Sequence, residues 1–273
     1  MDMTTAAAYD EVLRITRREA KNFAYGIMVL PREKRRAIAA IYAFARRVDD
    51  IADGDLPPDE KRSQLEALRA GLDAAPRGAR TDQATFVALA DARARFAIPR
   101  DALSKLVDGG LQDLEQTRYA TFDDLRAYCE KVAGAVGVAC IAVYGSDDAE
   151  RANTLGIALQ LINIMRDVQE DDELGRIYLP QDELQRFGVT KLEHSPQFVE
   201  LMRFQAQRAR AHLDEGLRLL ASLDRRSALC VSTFAGLYRG QLERMEANGF
   251  DVFDKSCRLS TRAKLGVVAR NIW

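Results

Sequence analysis

The chain has 273 residues, 47% of them hydrophobic, which is enough to fill one large core or two ordinary ones and excludes an intrinsically disordered protein. Lys plus Arg (40) nearly cancels Asp plus Glu (41), so the formal charge of -1 provides no whole-protein field to draw in nucleic acid or an anionic membrane. Any charge-based function must be local. Cys129, Cys140, Cys230 and Cys257 form no CxxC pair, and MDMTTAAAYDEVLRITRREAK has no apolar stretch of signal-peptide length, so a cytoplasmic protein with reduced thiols is expected.

In chain order, almost every segment reads with a helical period and none shows the period-2 alternation of a strand, which predicts an all-α protein. Pro31 stands at a helix start and Gly54 at a helix stop, so REKRRAIAAIYAFARRVDDIAD forms one helix of about six turns. GDLPPDE (54–60) and AAPRGARTD (74–82) are the clearest breaks, but the helix between them is too short and polar to be a domain. They read as surface loops, and residues 1–273 as a single domain. Thr121 with Asp124 has the spacing of an N-cap and its partner, opening a helix that runs to Tyr144. The uncharged run VAGAVGVACIAVYG inside it has 14 residues, short of the ~20 a membrane-spanning helix needs, and reads as a buried core helix. GSDD turns the chain into a helix from Ala149 to Leu174. Pro180 then starts a short helix and Pro196 a long one. The order is that of a bundle of long helices around one interior.

Two helices carry related polar rows. Tyr42, Arg46, Asp49 and Asp53 lie 4, 3 and 4 residues apart, and Gln160, Asn163, Asp167 and Asp171 lie 3, 4 and 4 apart, each set on one helical face. A single DxxxD is common and usually means a solvated face with arginine partners, such as Arg46 to Asp50. Here both rows follow stretches that are apolar nearly all round, Ile38 to Ala45 and Leu155 to Met165, which marks buried helices whose acids must find partners or face a cavity. Four converging carboxylates repel one another unless cations sit between them, and hard oxygen ligands favour Mg²⁺, which shares substrate phosphates. Asp49, Asp53, Asp167 and Asp171 are therefore candidate metal ligands, and Arg46, Arg166 and Arg176 candidate phosphate donors.

Competing chemistries lack parts. The only histidines, His194 and His212, form no HExxH and neither lies three residues after a Glu, which leaves zinc-hydrolase and di-iron readings without ligands. Both read as ordinary surface residues. GxSxG, GxGxxG and GxxxxGK[ST] are all absent.

YAFARRVDDIAD, YCEKVAGAVG and QLINIMRDVQED followed by GRIYLP resemble the signatures of the squalene and phytoene synthase family, over a stretch from about Lys21 to the C-terminal region. The resemblance implies an all-α class I isoprenoid (terpenoid) synthase fold, in which two aspartate-rich helices face each other across a central pocket and bind Mg²⁺, two or three ions, with an allylic diphosphate. It implies that Asp49, Asp53, Asp167 and Asp171 are metal ligands with Asn163 beside them, and that Gln160 occupies the other amide position. Tyr42, Arg46, Arg166 and Tyr178 match diphosphate-contacting or pocket positions. Lys21 and Phe23 match the entrance segment, and Tyr128, Ala133, Val136 and Gly137 the helix lining the prenyl channel. Arg176, Arg262 and Lys264 are further diphosphate candidates, although the SCRLSTRAKL segment could equally be a solvated face. Aromatic faces such as Phe23 or Tyr42 suit stabilisation of a carbocation.

Within the family, KNFAYGIMVLPREKRRAIAAIYAFARRVDDIADG is most similar to bacterial presqualene diphosphate synthases of hopanoid and squalene biosynthesis. The implied reaction joins two farnesyl diphosphates head to head to presqualene diphosphate, without NADPH. Phytoene or squalene synthesis is the alternative, and a catalytically silent binding or assembly relative is the alternative of another class. Such a relative could lose an aspartate without penalty, whereas this chain has all four. No nucleic-acid partner is expected. Weak peripheral contact with a membrane and a downstream squalene-forming enzyme are the expected associations.

Overall fold

The computed structural model describes residues 3–19, 26–73, 83–254, 257, 260 and 266. Among them there are helices and no strands. They are α1 (Thr5–Glu19), α2 (Arg32–Asp53), α3 (Pro58–Gly71), α4 (Gln83–Phe96), α5 (Arg100–Asp113), α6 (Phe122–Cys129) and α7 (Ala135–Tyr144), followed by α8 (Ala149–Arg166), α9 (Val168–Glu173), α10 (Gln181–Arg186), α11 (Pro196–Leu217) and α12 (Arg225–Ala247). Lys21, Phe23, Arg262 and Lys264 lie outside the described residues.

The first polar row rides on α2, which runs unbroken between Pro31 and Gly54 as its composition predicts. Ile38, Ala39, Ala40, Ile41 and Phe44 have no exposed surface, because α2 packs against α1, α4, α5 and α7 together. The second inside helix is α8, held between α7 and α11 and touched by α12. It joins two apolar clusters, one beneath α2 and one between α8, α11 and α12.

Two expected helices are interrupted, and each break has a physical cause. The predicted Thr121–Tyr144 helix begins with the expected reciprocal cap, Thr121 Oγ accepting from Asp124 N and Asp124 Oδ2 from Thr121 N. It then widens into a π-helical turn at Glu130–Gly134 before continuing as α7. This is where it crosses α8. A Cβ on Gly137 would collide with the Ala152 carbonyl and one on Gly156 with the Ala133 carbonyl, so the two backbones touch through glycine. By length and composition Phe122–Tyr144 could cross a membrane, contrary to the expectation from the shorter uncharged run, but half of its most apolar window is buried inside the protein.

The expected Ala149–Leu174 helix breaks at Asp167, whose backbone leaves the helical region (φ -101°, ψ 13°). Asp167 N still donates to Asn163 O (2.9 Å) and Asp171 N to Asp167 O (2.9 Å), so the break redirects the chain without opening it. Past α9, Gly175 turns with φ 77°. Ile177 N then donates to Thr117 O and Gln181 N to Tyr119 O, both at 2.9 Å, which lays the segment after the second row along the segment after α5.

Candidate active site

Three helix faces enclose a cavity of about 660 Å³. Leu155, Gly156 and Leu159 of α8 face Ala133, Val136 and Gly137 of the π turn and α7, and Phe234 and Leu237 of α12 close the third side. Polar lining is concentrated at one end, with Gln160, Asn163 and Arg166 from α8, Tyr42 from α2, and Arg18 and Glu19 from α1. Beyond this end stand the aspartates of both rows.

The rows do converge, and the arginines divide them. Arg176 Nη1 meets Asp53 Oδ1 at 2.7 Å across the two motifs. Arg166 grips its neighbour Asp167 through both carboxylate oxygens, Nε to Oδ1 at 2.7 Å and Nη2 to Oδ2. Arg46 turns to Asp50 at 2.7 Å, the solvated-face pairing that the sequence also allowed. Asp49 and Asp171 form no ion pair among the described residues. Asp49 keeps an exposed surface, yet the protein crowded around its carboxylate, reinforced by Asp53, pushes its pKa up to about 7. Enclosure and then Asp167 raise Asp171 to about 7 as well. Each row thus has one neutralised aspartate and one that resists ionising.

Beneath the mouth is a group that the sequence reading missed. Asp113, at the last position of α5, accepts from Tyr128 Oη (2.9 Å) and Tyr178 Oη (3.1 Å), and burial lifts its pKa to about 6 despite these donors and nearby Arg176. The Tyr128 and Tyr178 rings stack 5.3 Å apart with Tyr119 against both. The available signal was position, since a carboxylate at a helix C-terminus opposes the macrodipole and calls for an explanation. Tyr128 was expected in the channel wall and Tyr178 among the diphosphate-contacting or pocket residues. Tyr128 is buried in this tyrosine stack and does not line the cavity of about 660 Å³, Tyr178 lies beside Asp171 and Arg176, and Ala133, Val136 and Gly137 line the cavity. Tyr238 and Gln241 of α12 also line the mouth without having been singled out. His194 is exposed and contacts Gly249 O, and half-buried His212 contacts Arg208 O, so neither enters the site.

The donor set fits a hard divalent cation. Asn163 Oδ1 is buried with no hydrogen-bond partner while its Nδ2 donates to Gln160 (3.3 Å), leaving a carbonyl-type oxygen available beside Asp167. Among the described residues no three acidic, histidine or cysteine side chains form a ready-made cage.

A mainly apolar channel beneath a mouth of carboxylates and arginines defines the site of this all-α protein. The chain belongs to the squalene/phytoene synthase family, whose model matches residues 16–265. It is 43% identical to a phytoene synthase of Mycobacterium bovis, over 96% of this chain and 89% of the relative, and 36% identical to a 15-cis-phytoene synthase of Synechococcus elongatus, over 94% and 90%. Its fold superposes on a ligand-bound dehydrosqualene synthase with a TM-score of 0.89 at 26% identity, over 98% of this chain and 96% of the other. On a squalene synthase from Alicyclobacillus acidocaldarius the TM-score is 0.81 at 27% identity, over 90% and 96%. The fold is that of the isoprenoid synthases, and the family comprises prenyltransferase-type enzymes acting on prenyl diphosphates.

Proposed function

We propose that the protein joins two prenyl diphosphates head to head in a Mg²⁺-dependent reaction and releases a cyclopropylcarbinyl diphosphate, with farnesyl diphosphate as substrate and presqualene diphosphate as product. The observation that carries this reading is the segregation of the cavity, mainly apolar along the channel, with its charged and amide groups at the end where the two aspartate rows converge. Mg²⁺ held there by Asp49, Asp53, Asp167, Asp171 and Asn163 would supply positive charge to the departing diphosphate oxygens. The protein's own part is to position the reactants and keep water out. Arg166 and Arg176, now holding Asp167 and Asp53, are placed to share phosphate oxygens, and the walls from Ala133 to Gly137 and Leu155 to Leu159 protect the carbocation. The ring of Tyr42 at the mouth is placed to face that cation.

Farnesyl is favoured by the N-terminal segment and by the structural neighbours, since squalene and dehydrosqualene are each built from two farnesyl units. The sequence relatives named as phytoene synthases favour a second reading, in which geranylgeranyl diphosphate is condensed to phytoene. The retained aspartates speak against a catalytically silent relative. We expect the protein in the soluble fraction with weak membrane contact, its greasy product passing to a squalene-forming enzyme. The deciding experiment incubates purified protein and Mg²⁺ with farnesyl or geranylgeranyl diphosphate, with and without NADPH, and identifies the products. Presqualene diphosphate that persists when NADPH is added is expected. Conversion to squalene would remove the one-step assignment, phytoene from geranylgeranyl diphosphate would establish the second reading, and no turnover of either would leave the silent relative.

A further inference from the structure

Three helices give the channel a direction. Along α8 its lining runs from Ala152 to Arg166, fourteen positions at ~1.5 Å each, so the channel extends about 20 Å from floor to mouth. The π turn and α7 run the opposite way, Val132 lying near the mouth and Tyr144 at the far end, and α12 again runs outward from Val231 to Gln241. Exposure follows the same axis. Arg18 and Glu19 are open to solvent and Tyr42, Gln160 and Asn163 half-buried, whereas Tyr144, Ala152 and Val231 are buried. The closed end therefore lies where α7 ends, α8 begins and α12 begins.

Tyr144 is the large side chain at that end, and it is anchored. It is the last residue of α7, ahead of Gly145 at φ 85°. Lys34 Nζ donates to the Tyr144 carbonyl (2.7 Å) and also to Asp224 (2.7 Å) and Ser227 (3.1 Å), and Asp224 caps α12 through the amides of Arg226 and Ser227. One lysine on α2 thus ties the end of α7 to the start of α12. The Tyr144 hydroxyl rests against Cys230 Sγ at 3.6 Å, and Leu219 and Val231 complete the floor. Nothing in this arrangement serves the mouth, about four helical turns away at ~3.6 residues per turn along α8.

We propose that Tyr144 is the specificity-determining residue for prenyl chain length, its ring being the surface against which the tail of the substrate ends. The inference rests on reading the cavity as a prenyl channel. Shortening the side chain deepens the channel, and filling the position one turn above, Cys140, makes it shallower.

The test measures affinities of the full-length protein for non-ionisable thiolo-diphosphate analogues of geranyl, farnesyl and geranylgeranyl diphosphate, in wild type, Tyr144→Ala, Tyr144→Phe and Cys140→Phe. Pocket discrimination between homologues is roughly tenfold or more for each misfitted apolar group, so Tyr144→Ala should shift the preference towards the longer analogue, relative to the wild-type favourite, by about tenfold or more. Cys140→Phe should shift it the other way. Tyr144→Phe keeps the ring and should keep the wild-type order. If Tyr144→Ala and Cys140→Phe both retain that order while remaining folded, the proposal is overturned. If Tyr144→Ala fails to fold, Leu219→Ala and Val231→Ala carry the same comparison from the other two sides of the floor. Binding reads the floor and product analysis reads the reaction. A wild-type protein that makes no head-to-head product but still shows the shifts keeps the floor assignment and refutes the proposed reaction.

Discussion

The mouth and the channel of this protein are built on opposite terms. At the mouth, like charges are crowded together, and the enclosed Asp49 and Asp171 are raised to about 7 because ionising them costs the folded state free energy. In the channel wall, Gly137 and Gly156 let α7 and α8 touch backbone to backbone, and close packing stabilises the fold. The difference teaches where function and stability are in conflict. Substitutions at the mouth should act mainly on catalysis, with smaller stability effects of either sign according to which charge loses its partner, and substitutions in the wall should act mainly on the fold.

The largest effect expected is on turnover at the mouth. Asp49→Ala and Asp167→Ala should each reduce kcat by about 10²–10³ or more, the scale of removing preorganised charge stabilisation. Near-normal turnover of either at saturating Mg²⁺ would break the metal assignment. Thermal denaturation in chelator sharpens the point by separating the two. Asp49→Ala removes an acid with a raised pKa and no ion pair among the described residues, and should raise the melting temperature above pH 7. Asp167→Ala strands half-buried Arg166 and should lower it.

Next in size is the wall. Gly137→Ala and Gly156→Ala press a methyl group into a backbone carbonyl, and each should cost about 1–3 kcal/mol in denaturant unfolding, with kcat per folded molecule changed far less than in the aspartate variants. A neutral effect on stability would show that the helices can separate, and the contrast between the two regions would be lost.

A pH effect of the mouth follows with a definite sign. Folded Asp49 and Asp171 hold their protons up to about pH 7, and Asp113 up to about 6, against 3.8 when unfolded. The stability that this proton binding contributes is full below about pH 4 and is lost as pH rises through 6 to 7. The metal-free melting temperature should therefore fall between pH 5 and 8, and added Mg²⁺ should restore more of it at pH 8 than at pH 5. A flat profile would mean that the carboxylates are already compensated.

The smallest effect concerns how the rows are held. Arg176→Ala frees Asp53 from its cross-motif pair and should weaken binding of inorganic diphosphate in the presence of Mg²⁺ by about tenfold, the scale of one lost charged hydrogen bond. It should lower stability modestly at neutral pH, because Asp53 is more than half exposed but Arg176 is largely buried and its charge also offsets Asp113 and Asp171.

Much of this could be read before any coordinates. The 3.6-residue periodicity, the caps at Thr121 and Gly54 and the absence of alternating segments determined an all-α fold, because helical periodicity is written locally. The two DxxxD rows could be found for the same reason, whereas Ala133, Val136 and Gly137 were named through the family resemblance, the residues alone reading equally as close helix packing. The helix that carries Asp167 was drawn too long, because the backbone hydrogen bonds on either side of the break keep a helical spacing in the sequence. Other features depend on contacts between residues far apart in sequence. Only the tertiary structure joined Asp113 to Tyr128 and Tyr178 across 15 and 65 positions, put Tyr128 in that stack, and gave Asp53 and Asp167 their arginines while Asp49 and Asp171 form no ion pair among the described residues. It also placed Tyr144 at the closed end through a lysine 110 positions away. Sequence specifies which faces a helix must bury and which charges it carries there. How deep the resulting cavity runs, and which of its acids pay for being enclosed, is set by how the helices cross.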